Sequence, residues 1–298
     1  MWIIKNRWVF ISISIFFVLA SVASLVIFGL KVGIDFKGGS LTEVAYVESV
    51  PTTDVVQKRV DELNFGGSVV QPIGENGMQI KTRALSEIER QNLIESLNFD
   101  ERYNIEEKSF TSIGPSVGKE LKNKSIVSLI LVGIAIVFFI AYAFRKVSKP
   151  ISSWKYGFIT IITLAHDVII TAGLFTIISH FTGAEADTLF VVALLTVLGL
   201  SVNDTIVVFD RVRENITHNK SGNSFKENVG KSLNQTIFRS LNTSLSVIIV
   251  LSALFFVGPE STKLFALTLA IGMFFGTYSS IFVASPLLTI VEDLQKKR

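Results

Sequence analysis

The chain has 298 residues, 49% of them apolar, no cysteine and a formal net charge of +3, with a mean hydropathy of +0.51. The lack of cysteine excludes disulfides, thiolate metal sites and thiol nucleophiles, and the small net charge, with its basic residues set beside apolar blocks, gives no basis for nucleic-acid binding. Apolar residues come in blocks longer than a soluble core needs, which marks a polytopic membrane protein.

Lys5 and Arg7 precede the first block, 8–30. Its small-residue stretch 20–23 resembles a cleavage site, but its length exceeds the roughly 7 to 15 apolar residues of a leader core, so a retained anchor is expected. VGIDFKGG follows, where Gly33, Gly38 and Gly39 allow backbone shapes that other residues resist. With Asp35 they read either as a tight join between span and strand or as a hinge.

Residues 31–124 form the one long hydrophilic stretch, expected to be a separate small domain. SLTEVAYVE alternates as a strand, TTDVVQKRVDEL has a helical apolar repeat, and GSVVQPI and NGMQIKT read as two strands joined by a Gly/Asn turn. SEIERQNLIESL is a second helix and YNIEEKSFTSI a last strand. The order β-α-β-β-α-β predicts a ferredoxin-like α+β sandwich.

Five further spans are expected at 126–144, 156–178, 188–208, 241–257 and 264–290, since about 30 Å of hydrocarbon takes ~20 helical residues. The division is 1–30 for the N-terminus and first span, 31–124 for the extracytoplasmic domain and 125–298 for spans two to six. Arg145, Lys146, Lys149 and Lys155 fill the second connection between spans, Arg211, Arg213, Lys220, Lys226 and Lys231 the fourth, and Lys296, Lys297 and Arg298 end the chain. SHFTGAEAD has no Lys or Arg, and Lys263 alone separates the last two spans. This bias puts both termini in the cytoplasm and 31–124 on the opposite side. No Walker A pattern occurs, so no P-loop nucleotide hydrolysis is expected, and the chain reads as no enzyme.

Asp204 lies in SVNDTIVVFDR, six residues before Asp210, hence about 9 Å inward from the basic cluster at ~1.5 Å per residue. An ionised Asp at bilayer depth costs roughly 2.5 to 3.5 kcal/mol, which makes such an acid a functional candidate. Arg239 stands at comparable depth in a later helix. Helical spacing groups Ser201, Asp204 and Thr205 on one face, and Arg239, Asn242, Thr243 and Ser246 on another. The two stripes are expected to meet inside a bundle, where a guanidinium controls the charge of Asp204; a static pair that fixes packing is the alternative. His166 and Asp167, in AHDVIITAG, have two readings, proton relay or packing support, and Ser201, Asn203 and Thr205 share them. Adjacent side chains diverge and no other ligand cluster is visible, so no metal site is expected. Gly272 and Gly276 form a GxxxG face for close helix packing.

Four stretches, VGIDFKGGSLTEV at 32–44, AHDVIITAG at 165–173, GLSVNDTIVVFDRVREN at 199–215 and NQTIFRSLNTS at 234–244, closely resemble the SecF family, the smaller half of the SecDF protein-translocation accessory complex. The third stretch is highly specific to it; the first is shared with SecD. The resemblance implies the resistance-nodulation-division architecture, a SecD partner supplying a second six spans, and a bacterial or archaeal-type plasma membrane. It further implies work beside SecYEG, SecA and a YajC-like subunit, use of the proton-motive force to draw unfolded preproteins outward, and no cofactor. It puts the family's proton-linked Asp and Arg on Asp204 and Arg239 and a SecD contact on VGIDFKGG. Leu200 and Lys37 depart from the family, where Tyr and Ser or Thr are commoner. The chain ends after its sixth span, as expected of a separate subunit. Two other readings stay open: an exporter of small molecules or lipids on the same fold, which the small extracytoplasmic domain disfavours, and a translocon scaffold without proton flow.

Overall fold

The structure, a computed structural model, describes residues 2–47, 49–99, 103–145, 151–217, 222 and 224–296. Lys146, Lys149, Lys220, Lys297 and Arg298 of the basic clusters, and Glu48 of the first strand pattern, lie outside them. In chain order the elements are α1 (Trp2–Lys5), α2 (Arg7–Ile27), α3 (Ile34–Lys37), β1 (Gly39–Tyr46), α4 (Thr53–Glu62), β2 (Val69–Ile73), β3 (Gly77–Thr82), α5 (Glu87–Leu97) and β4 (Ile105–Ile113). Then come α6 (Pro115–Ala143), α7 (Ser153–Thr182), α8 (Thr188–Thr217), α9 (Phe225–Val257), α10 (Glu260–Ser279), a π-helical turn (Ser280–Ala284) and α11 (Ser285–Lys296). Two compact units result, one of Met1–Lys31, Val127–Ala184 and Leu189–Arg298, the other of Val32–Ile126 with Glu185–Thr188.

The smaller unit, the head, is the β-α-β-β-α-β domain expected, its four antiparallel strands ordered β2-β3-β1-β4. Alternation along the strands sends Val44, Tyr46, Val70, Met78 and Ile80 to one face. There they bury against Val56 and Val60 of α4 and Leu93 and Leu97 of α5. A bulge interrupts the β1–β4 ladder, with Glu43 opposite Ser109 and Val44 opposite Glu107. A capping box starts α5: Glu89 N–H donates to Ser86 Oγ, and Ser86 N–H donates to Glu89 Oε2 at 2.9 Å. The Arg83 guanidinium and the Ser86 N–H and hydroxyl hold the Glu89 carboxyl at about 2.

In the larger unit, six helical stretches are long and apolar enough to cross a membrane among the described residues: α2, α6, α7, α8, α9 and the run from α10 to α11. Three of them depart from the expected spans. Helix α6 starts at Pro115, a residue that suits the first helical position because its missing N–H would have no partner there. The start of α9 at Phe225 is fixed by a second capping box, Ser224 with Glu227, so Lys226 and Lys231 are helical and not in a loop. The last span contains the π-helical turn, which ends two residues before Pro286. Proline has no N–H and its ring clashes with the carbonyl four residues back, so the ladder widens there. Ser285 Oγ donates to the carbonyl of Ser280 at 3.3 Å in that turn.

Small polar residues line the contacts between these helices. The buried residues of α2 are Ser14, Ser21 and Ser24, and Ser24 Oγ donates to the Gly173 carbonyl of α7 at 2.8 Å. A Cβ on Gly173 would lie 2.3 Å from that of Ser21, so the two backbones approach as closely as side chains allow. At the other end of the bundle, Asp293 of α11 pairs with Arg7 at 2.8 Å and with Lys226 at 2.7 Å.

Candidate functional site

Among the described residues three carboxylates are buried in the bundle: Glu292 pairs with Lys296 near the end of α11, while Asp167 and Asp204 lie deeper in their helices and their surroundings differ. Asp167, in the middle of α7, is fully buried. Its Oδ2 accepts from Ser201 Oγ of α8 at 2.5 Å and from Ser279 Oγ of α10 at 2.9 Å, while Oδ1 meets His166 Nδ1 at 2.9 Å. Three helices therefore converge on one acid. Asp204, one helical turn along α8 from Ser201, is 6% exposed. Its Oδ2 accepts longer bonds, 3.3 Å from Ser244 Oγ of α9 and 3.4 Å from Thr277 Oγ1 of α10, and those two hydroxyls bond to each other.

The glycines of α10 make this seam possible. A Cβ on Gly272 would lie 2.1 Å from Val197 Cγ2, and one on Gly276 would lie 3.0 Å from the Cβ of Ser201. Without those atoms α10 comes close enough to α8 for Ser201 and Ser279 to share Asp167. Thr205 is buried and its hydroxyl returns to the Ser201 carbonyl at 3.2 Å. Asn203 points away and is exposed.

Arg239 does not join Asp204 in an ion pair among the described residues, and its stripe with Asn242, Thr243 and Ser246 is exposed. The inward face of α9 here carries Ser240 and Ser244 instead. Arg239 and Ser240 are neighbours roughly 100° apart on the helix, so packing the small hydroxyls against α10 turns the guanidinium outward. The expected meeting of the two stripes is corrected accordingly: Ser244 and Thr277 touch the carboxylate. His166 Nε2 is buried and lacks a hydrogen-bond partner among the described residues, and its ring lies nearly parallel to Tyr278 at 6.5 Å. No cluster of metal-ligating side chains occurs among the described residues.

The motif residues Gly33, Asp35, Gly38 and Gly39 belong to the head. Asp35 Oδ2 accepts from the N–H and the hydroxyl of Thr188, at 2.8 and 2.6 Å, and Gly33 N–H donates to the Ala186 carbonyl at 2.9 Å.

Comparison with known proteins bears on this arrangement. The family described as "Protein export membrane protein SecD/SecF, C-terminal" matches residues 93–294. The protein translocase subunit SecF of Thermobaculum terrenum is 42% identical over 98% of this chain and 94% of its own length. The chain belongs to the SecF family. A second SecF, from Synechocystis, is 35% identical over 96% of this chain and 90% of its own. The crystal structure of SecDF, a translocon-associated membrane protein from Thermus thermophilus, superposes with a TM-score of 0.83 at 27% identity, over 97% of this chain and 38% of that one. SecDF in a super-membrane-facing form gives 0.68 at 29% identity, again with 38% of that chain covered. The chain is thus a multi-pass membrane protein of a family of translocase subunits.

The residues that reading the sequence left out are Ser244, Thr277 and Gly173. Each belongs to a helix in which small and hydroxyl residues recur among large apolar ones, a weak signal because hydroxyls in spans also return to their own backbone, as Thr243 does to Arg239.

Proposed function

We propose that this chain is the SecF-type subunit of a proton-driven protein-export machine in the plasma membrane. Both termini face the cytoplasm and the head faces outward. Its work with a SecD partner, beside the SecYEG channel, the SecA motor and a YajC-like subunit, promotes the passage of unfolded preproteins. One observation carries the proton-linked reading: two acids are buried deep in adjoining helices, linked through Ser201, which bonds Asp167 and lies one helical turn from Asp204, and hydroxyls and an imidazole are their hydrogen-bond partners. Acids placed this way change charge with the position of nearby cations and water.

Asp204 has the looser bonds and the partial exposure, and it is the acid that takes up and releases H⁺; Arg239 sets its charge by approaching and withdrawing. Asp167, bonded to Ser201, Ser279 and His166, anchors α8 through Ser201. A proton moving inward yields about 2.3 kcal/mol per 100 mV, which drives the motion. The exposed Arg239 and Asn242 of α9 and Asn203 of α8 support a protein neighbour, since lipid offers those side chains no hydrogen-bond partner. A second bundle of six helices from SecD fits that need.

Export by proteoliposomes, measured with and without an imposed proton gradient, tests the reading. Asp204→Asn is expected to remove the gradient-dependent part and leave assembly intact. Full stimulation in that variant would overturn it. Capture of SecD and SecYEG with the tagged chain tests the partners separately.

A further inference from the structure

The VGIDFKGG motif stands outside the acid site, and its geometry supports one of its two readings. On one side it fastens the segment that leads into α8. Asp35 Oδ2 takes both the N–H and the hydroxyl of Thr188, the first residue of α8. Gly33 N–H donates to Ala186 O, Val32 pairs with Ala186 as a parallel bridge, and Lys81 of β3 pairs with Glu185 at 3.0 Å. On its other side the motif is wedged against the start of α6. Gly38 has φ +81°, and a Cβ there would lie 2.8 Å from Pro115 Cα; a Cβ on Gly118 would lie 2.8 Å from Gly38 N. Gly39 then continues as the first residue of β1.

We infer that Asp35 is a positioning residue that makes residues 32–39 a rigid strut, carrying displacement of α8, the helix of Asp204, into strand β1 of the head; this rests on the proton-linked reading above. Three physical facts favour a strut over a hinge. A hinge needs backbone free to change φ and ψ, whereas Gly38 and Gly39 are packed so closely against Pro115 and Thr82 that even a methyl group would collide. A carboxylate accepting two donors at a helix N-terminus is favoured by both charge-assisted bonding and the helix dipole. Helix α8 runs unbroken from Thr188 through Asp204, about 24 Å at ~1.5 Å per residue. A shift along its axis at the acid therefore arrives at Thr188, and Asp35 passes it on.

The chain has no cysteine, so an Asp35→Cys, Thr188→Cys pair is the one place in this chain where a short bifunctional thiol reagent can act, and the same reagent on wild type controls for the other subunits. The complex is reconstituted in proteoliposomes, and three quantities are read: export that depends on the gradient, export that does not, and the infrared carboxyl signal lost in Asp204→Asn. Asp35→Ala and the reduced cysteine pair are expected to lose gradient-dependent export while gradient-independent export and the carboxyl signal persist. Cross-linking the pair is expected to restore the lost part, and reductant to remove it again. The strut is overturned if Asp35→Ala keeps its gradient response, if the cross-link fails to restore export, or if Asp35→Ala loses the carboxyl signal. Failure of the proton-linked reading is distinct, because it shows as full stimulation in Asp204→Asn whatever Asp35 does.

Discussion

The head and the membrane bundle both bury apolar clusters but differ in the polar residues buried beside them. Inside the head, Val44, Val56, Val60, Ile80, Leu93 and Leu97 are inaccessible, and charged groups such as Arg83 and Glu87 stay outside. In the helices of the bundle, buried positions include Ser21, Ser24, Thr160, Thr163, His166, Asp167 and Ser201, while Phe16, Leu19, Phe138, Phe238 and Phe256 face outward. Water drives the first arrangement by expelling apolar surface. Lipid tails supply no such drive, so helices associate through close backbone packing and hydrogen bonds between small residues. The same chemistry that holds the bundle together therefore collects hydroxyls around two acids, whereas the polar residues buried in the head, Ser40, Thr42 and Thr82, surround no carboxylate among the described residues.

Substitutions that attack each region by its own rule sharpen this contrast. The largest effect is expected from Leu93→Ala, which opens a cavity in a water-driven core and should cost about 2–5 kcal/mol of head stability. Hydrogen exchange of β1 and α5 amides reads it, which suits a domain without tryptophan, since Trp2, Trp8 and Trp154 all lie elsewhere. In the bundle, Gly272→Ala adds a methyl against Val197 and should cost roughly 1–3 kcal/mol by overpacking. Val197→Ala in the same protein should recover much of the loss of thermal stability in detergent. If Gly272→Ala is neutral, close approach of α8 and α10 is not what holds the seam.

Ser86→Ala should cost about 1 kcal/mol by removing the cap of α5. The smallest effect is one of pH. The Glu89 carboxyl is held at about 2 by Arg83 and Ser86, below the roughly 4.3 of an unfolded chain. Its contribution is therefore complete above the unfolded value and is lost as pH falls toward about 2. Local exchange in α5 of wild type and Glu89→Gln should thus differ at neutral pH and converge in acid; a constant difference would remove the ionised carboxylate from the cap.

Much of this architecture was legible in the residues. Strand alternation in LTEVAY, the helical repeat of TTDVVQKRVDEL and the Gly/Asn turn between β2 and β3 each depend on neighbours a few positions away, and all reappear in the head. Span number was legible for the same reason, since length and apolar content are local properties. Helix starts were less so: the extension of α9 to Phe225 depends on Ser224 and Glu227 bonding across its first turn, inside a charged stretch that reads equally as loop. In the site, Asp167 and Asp204 stood out because charge is rare in spans. Of their partners, His166 and Ser201 were named, but Ser244 was not, since Ser244 and Arg239 are both polar positions on α9 and only helix rotation selects between them.

Apolar periodicity, basic flanks and rare buried charge, all written along the chain, determined by themselves that this protein is a six-span bundle with a ferredoxin-like head and acids at depth. Tertiary structure alone decided that Asp167 binds Ser201 and Ser279, that Ser244 meets Asp204, and that Asp35 holds the start of α8. The reason is physical: a hydrogen bond between residues far apart in sequence depends on the rotation and spacing of whole helices, and these are set by where glycines let backbones touch.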